Sequence, residues 1–166
     1  YQYGLQITPD TEVIKDCIQD VFIRIYKNKN KLSIPQNVKI YLMISLKNSI
    51  YNVFSKERSE ESYAFNFYSM EEQYITENDF INEEEINEIK KILHVLTPRQ
   101  REIIYYRFIE EMEYDEICQI MDINYQSAYN LLQRSLQKVR DTFGTPECIA
   151  WISILTTFFR ETQKMH

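Results

Sequence analysis

Tyr125, Gln126, Ser127, Tyr129, Asn130 and Arg134 crowd into the run "DINYQSAYNLLQRSLQKVR". At helical spacing, Gln126, Tyr129, Asn130, Gln133 and Arg134 share one face. Ala128, Leu131, Leu132, Leu136 and Val139 form an apolar stripe on the other. A carboxamide can bond an adenine edge bidentately, and a tyrosine ring can pack on a thymine methyl. No positive charge precedes Arg134 in the run, so this face offers a polyanion little electrostatic affinity. A second group, Lys47, Asn48, Tyr51, Asn52, Lys56 and Arg58, occupies polar positions of "VKIYLMISLKNSIYNVFSKER". Cations neutralise phosphates, asparagine can bond a base edge, and tyrosine can stack on an unpaired base. Ser55 and Glu57 interrupt that basic cluster.

The residue types needed for catalysis are not arranged for it. No nucleophile–base pair or metal-ligand spacing stands out, and the Glu83-Glu84-Glu85 run reads as a solvated helix start near the positive end of the helix dipole. The only glycines are Gly4 and Gly144, too few for a phosphate-cradling loop. Cys17, Cys118 and Cys148 lack CxxC spacing, and His94 and His166 are isolated. Each cysteine reads as a small buried hydrophobe, no cofactor is implied, and a reducing cytoplasm is the default compartment.

The elements that must position these residues are helices. "TEVIKDCIQDVFIRIYKN" places Val13, Cys17, Val21 and Ile25 on one stripe and Ile14, Ile18, Phe22 and Tyr26 on the next, with Thr11 as the expected N-cap. Pro35 separates it from a second long helix, whose apolar positions include Tyr41, Leu42, Ser45, Leu46, Ser49, Ile50 and Val53. A helix from about residue 82 should stop at Thr97-Pro98, with Thr97 capping the next element, "PRQREIIYYRFIEEM". A short helix bearing Ile117, Ile120 and Met121 follows. Cys118 is the small residue expected at its close approach to the next helix. The turn "DINY" comes next, in which Ile123 plugs the core and Asn124 caps the helix after it. Gly144 should end that helix. The apolar-leaning run 148–159 is too short to cross a bilayer, which takes about 20 residues.

This predicts an all-α chain of two small helical domains: 1–58, N-terminally incomplete because no initiating Met is present; an acidic linker, 59–81; a helix-turn-helix domain, 82–143; and an apolar C-terminal helix, 144–166. Charge divides the same way. Residues 1–58 hold 9 Lys/Arg against 5 Asp/Glu, residues 59–96 hold 2 against 10, and residues 97–143 hold 6 against 8. A basic and an acidic block in one chain suggest modules with different partners.

"KDCIQDVFIRIYKN" with "VKIYLMISLKNSIYNVFSKER" resembles region 2 of the sigma-70 family of transcription initiation factors. "LTPRQREIIYYRFIEEMEYDEICQIMDINYQSAYNLLQRSLQKVRD" resembles region 4 of the same family. The pair in this order resembles the two-domain extracytoplasmic-function (ECF) type. The resemblance implies a non-enzymatic bacterial subunit that binds core RNA polymerase, at the β′ clamp and the β flap, and promoter DNA. It places Asp16, Gln19, Asp20 and Phe22 on the polymerase-facing helix, although the first three also read as a solvated acidic face and Phe22 as core. It places Lys47, Asn48, Tyr51, Asn52, Lys56 and Arg58 on the melted −10 strand. Arg99, Arg107, Tyr125, Gln126, Ser127, Tyr129, Asn130 and Arg134 fall toward duplex DNA. Asp122 stands where a turn glycine is common, and aspartate tolerates the left-handed conformation. Tyr129 stands where Arg or Lys is often found. The C-terminal helix either packs on region 4 or docks a partner such as an anti-sigma factor or a DNA-targeting protein. The alternative is a free-standing helix-turn-helix regulator, which would need self-association and more positive charge.

Overall fold

The computed structural model describes residues 1–56 and 91–144. Every element among them is helical, with no strand among the described residues, so the fold is all-α as read from the sequence. The chain divides into two compact units, Tyr1–Gln73 and Tyr74–His166. The linker assigned to 59–81, Arg58, Glu83-Glu84-Glu85, and the C-terminal helix with Cys148, Trp151, Phe158 and Phe159 lie outside the described residues. No described helix is long and apolar enough to cross a membrane.

The first unit is built from α1 (Gln2–Leu5), α2 (Thr11–Asn28) and α3 (Val38–Lys56). Asp10, not Thr11, caps α2: its Oδ1 accepts from the N–H groups of Glu12 at 3.1 Å and Val13 at 3.0 Å. A carboxylate is the better acceptor at the positive end of a helix, which displaces Thr11 to the first helical position. α2 packs against α1 and α3 and buries only Ile14, Cys17 and Val21. The second expected stripe is therefore uncovered in its C-terminal half. Phe22 is 58% exposed, which corrects its reading as core, and Tyr26 on the same stripe is 69% exposed. α1 approaches α2 so closely that a Cβ on Gly4 would stand 2.7 Å from the buried Ile14 side chain. Asn37 caps α3 by accepting from Ile40 N–H at 3.1 Å. The buried side of α3 is Ile40, Met43, Leu46, Ser49 and Ile50, while the expected Tyr41, Leu42, Ser45 and Val53 are half-buried. Burial pushes the Cys17 thiol up, partly offset by its hydrogen bond with Ser49, so it is an inert packing group.

In the second unit residues 91–95 are helical. Thr97 then opens α4 (Pro98–Ile104), with Pro98 in its first turn. Thr97 Oγ1 accepts from Gln100 N–H at 3.3 Å and Gln100 Oε1 accepts from Thr97 N–H at 3.0 Å, a reciprocal capping box. The element expected as one helix changes winding: Tyr105–Ile109 is a π-helical turn. Glu102, Ile103 and Ile104 at the end of α4 and Tyr105 and Tyr106 at the start of the π turn are all buried, so this segment is enclosed on every side. The two buried phenols are satisfied, Tyr105 donating to Glu110 at 2.6 Å and Tyr106 to Glu102 at 3.0 Å.

α5 (Tyr114–Met121) and α6 (Tyr125–Phe143) complete the unit as a helix-turn-helix. α5 buries Ile117, Ile120 and Met121. α6 buries Ala128, Leu132, Ser135 and Val139. Leu131 and Leu136, expected in that stripe, are half-buried, because the seam runs through Ser135. The Ser135 hydroxyl is neutralised by donating to the Leu131 carbonyl at 2.7 Å. Cys118 is likewise half-buried and not a fully packed small residue.

The turn depends on Asp122, which sits at φ 51° and ψ 55°. From there its N–H, and the Ile123 N–H at 3.1 Å, both reach the Cys118 carbonyl. A β-branched residue is strained at this position. Asp122→Val should lower the unfolding free energy by about 1.5 kcal/mol, whereas Asp122→Gly should change it by less than about 0.5 kcal/mol. Chemical denaturation of both variants checks this; equal losses would mean that the aspartate side chain, and not the backbone angle, matters.

Candidate nucleic-acid interface

α6 starts with a firm cap, Asn124 Oδ1 accepting from Ser127 N–H at 2.8 Å. That bond fixes the direction in which its first turns leave the core. Tyr125, Gln126, Ser127, Tyr129, Asn130 and Arg134 are all exposed, so the face read from the sequence is on the surface and contiguous. Gln126 Nε2 donates to Asn130 Oδ1 at 3.0 Å. The two carboxamides are thus coupled one turn apart, with Gln126 Oε1 outside that bond.

A residue that sequence reading did not single out organises this end of the unit. The Tyr114 ring, at the start of α5, lies 5.1 Å from Tyr125 and 6.2 Å from Tyr129, centroid to centroid. These are the separations and tilts at which aromatic rings attract. The signal was present as three tyrosines spaced 11 and 4 apart, but only the turn geometry brings the first beside the others. Burial pushes the Tyr114 phenol up, partly opposed by the Arg107 cation. Arg107 stacks 5.5 Å from the Tyr114 ring.

Arg107 does more than stack. Its Nη1 donates to the Met112 carbonyl at 2.7 Å and stands 3.6 Å from Glu113 Oε2. It clasps the turn in which Glu111 takes φ 54°. Arg99 also reaches inward, its Nη2 donating to the Met121 carbonyl at 3.2 Å and tying the start of α4 to the end of α5. Both arginines expected toward duplex DNA are therefore holding the motif together in this structure.

The charge is one-sided up to Gln133, and basic residues return only at Arg134, Lys138 and Arg140. Residues 108–133 contain six acids, Glu110, Glu111, Glu113, Asp115, Glu116 and Asp122, and no Lys or Arg. A duplex approaching this face meets hydrogen-bonding groups and rings within an acidic frame, so unaided binding is electrostatically opposed.

The first unit has the opposite character. Residues 21–56 contain Arg24, Lys27, Lys29, Lys31, Lys39, Lys47 and Lys56 and no acid. On α3, Asn48 and Asn52 are exposed, Tyr51 is half-buried, and Lys47 Nζ lies 5.7 Å from the Tyr51 ring centroid. Lys56 closes the helix. On one side of α2 and α3, Val21, Arg24, Ile25, Asn28, Leu32, Tyr41 and Ser45 line a cleft of about 230 Å³. On another, Tyr1, Tyr3, Ile18, Val21, Phe22, Leu42, Met43 and Leu46 line an apolar groove of about 250 Å³. Asp16, Gln19 and Asp20 are exposed on α2. Among the described residues no cluster of His, Cys, Asp and Glu could hold a metal ion.

Residues 86–139 match the family model described as sigma-70, region 4. The match spans α4, the π turn, α5 and nearly all of α6. This third of the chain is thus similar to sigma-70 region 4, a non-enzymatic helix-turn-helix family. The comparison with curated proteins found no match. The resemblance of the first unit to region 2 rests on its own residues.

Proposed function

We propose that this chain is a sigma factor of the two-domain ECF type, which binds bacterial core RNA polymerase and directs it to promoter DNA. The region 4 match at 86–139 is the observation that carries the reading, and it implies polymerase and promoter as partners. In this reading the first unit takes the melted −10 strand. Its acid-free basic run supplies phosphate contacts, Lys47, Asn48, Tyr51 and Asn52 face the strand, and the cleft of Arg24, Asn28, Tyr41 and Ser45 has the mixed lining that suits one unstacked base. The exposed Phe22, beside Asp16, Gln19 and Asp20, suits the β′ clamp. The second unit reads duplex upstream, near −35, through Gln126, Tyr129, Asn130 and Arg134.

The acidic frame at 108–133 favours a further condition: polymerase, or a recruiting protein bound with it, supplies the positive charge that holds the duplex against α6. A free-standing regulator fits less well, since it must supply that charge itself. The test is capture of core polymerase by the full chain, followed by run-off transcription from a promoter library. Stable capture with promoter-selective transcripts supports the reading. Transcripts only when a second protein is added would select the recruited form. No capture, with a shift of palindromic duplex in the absence of polymerase, would replace it with the free-standing regulator.

A further inference from the structure

We propose that the second unit recognises its duplex by thymine methyl groups, with Tyr125 and Tyr129 as the contacting rings and Tyr114 as the residue that positions them. This rests on the duplex-reading role given to α6 above. Three observations converge on it. First, Tyr125 and Tyr129 are 55% and 43% exposed on the first two turns of α6, where a helix end meets base edges. The ring surface that Tyr114 leaves exposed is apolar, and the thymine C5-methyl is the one apolar group on the major-groove edge. Second, Tyr114 stands 5.1 Å and 6.2 Å from the two rings, so they form a platform and not two independent side chains. An ordered ring loses less entropy on contact.

Third, the polar groups beside the rings match the same base pair. Guanine is commonly read by Arg or Lys at O6 and N7, and the first two turns of α6, where the two rings stand, carry neither; Arg134, the first cation, lies a further turn along the helix. The Gln126–Asn130 bond uses the Asn130 oxygen, leaving Gln126 Oε1 to accept and Asn130 Nδ2 to donate. One acceptor beside one donor complements the adenine N6–H and N7. Against guanine, whose O6 and N7 both accept, the Gln126 oxygen would face another acceptor. Amides on adenine and rings on thymine methyls together select A·T pairs at the first two turns, leaving Arg134 to a phosphate or a base further along.

The experiment uses the full chain bound to core polymerase. Upstream duplexes are selected from a randomised pool, and the best is then synthesised with thymine or with uracil at the contacted pairs, which removes only the methyl. We expect A·T enrichment and a loss of about fourfold in affinity for each buried methyl deleted. Tyr125→Ser with Tyr129→Ser should bring the thymine-to-uracil ratio to one, and Tyr125→Phe with Tyr129→Phe should preserve it. Tyr114→Ala should lower affinity for the thymine duplex more than for the uracil duplex. Equal binding of the two duplexes by the unaltered chain overturns the inference while leaving the proposed function standing, as does selection of G·C pairs. Loss on Tyr→Phe with no uracil effect would assign the phenols to phosphates instead. Failure of the assembly to bind any duplex selectively removes both.

Discussion

Arg107→Ala should lower the unfolding free energy of the chain by about 2 kcal/mol in the absence of any DNA. The guanidinium gives a charge-assisted bond to the Met112 carbonyl, 2.7 Å long, and hydrogen bonds of that kind contribute about 1.5 to 3 kcal/mol. Only a third of the side chain is exposed, so solvent does not replace the bond at full strength. The Glu113 pair at 3.6 Å adds little, because that carboxylate is 78% exposed. Lysine at this position could keep one donor but not the planar stack on Tyr114, so Arg107→Lys should recover only part of the loss. Urea denaturation followed by circular dichroism measures both variants. If Arg107→Ala unfolds like the parent chain but flattens the salt dependence of promoter binding, the arginine is a phosphate contact, as the family resemblance suggests, and its inward bonds are incidental.

That arginine illustrates where sequence reading stops. Periodicity gave α2, α3 and the α5–turn–α6 motif because each follows a 3.6-residue pattern closed by a strong punctuator: Pro35, Pro98, Asn124 and Gly144. Asp122 was readable as a left-handed turn residue because aspartate is among the few side chains that accept those angles. The π turn had no signal of its own, since Tyr105 and Tyr106 look the same in either winding until a core is built around them. Whether an arginine reaches out to a phosphate or back to a carbonyl depends on the turn after the π segment, some five residues on, and nothing in the spacing of Arg107 records that turn. Phe22 was misread for a related reason. A helix with two apolar stripes buries both along their length only if enough neighbours cover it, and in the first unit Ile14, Cys17 and Val21 are buried while Phe22 and Tyr26 are left exposed. The face of α6 was readable because outward residues need no partner to be placed, while Tyr114 was not, because its relation to Tyr125 crosses the turn.

Placing a cation on that face separates charge from readout. Tyr129→Arg should raise duplex affinity of the polymerase-bound chain about tenfold at low salt and steepen the salt slope by about 0.9, the increment for one added phosphate contact on B-DNA. Between roughly 50 and 200 mM salt that single contact amounts to about a 3.5-fold change, so the gain should shrink by that factor across the titration. Selectivity should move the other way, because the substitution removes one of the two exposed rings and adds a contact that carries no sequence information. A competing fate for the new guanidinium is set by its surroundings: Tyr114 lay 6.2 Å from the ring it replaces and already accepts one guanidinium, and six acids flank the motif. An arginine captured there would stabilise the folded chain and leave the salt slope as it was. Fluorescence anisotropy of a labelled duplex across a salt series, set beside denaturation of the same variant, distinguishes the two. A steeper slope places the α6 face against phosphate, and an unchanged slope with raised stability keeps the arginine inside the protein and takes duplex contact away from this turn of the helix.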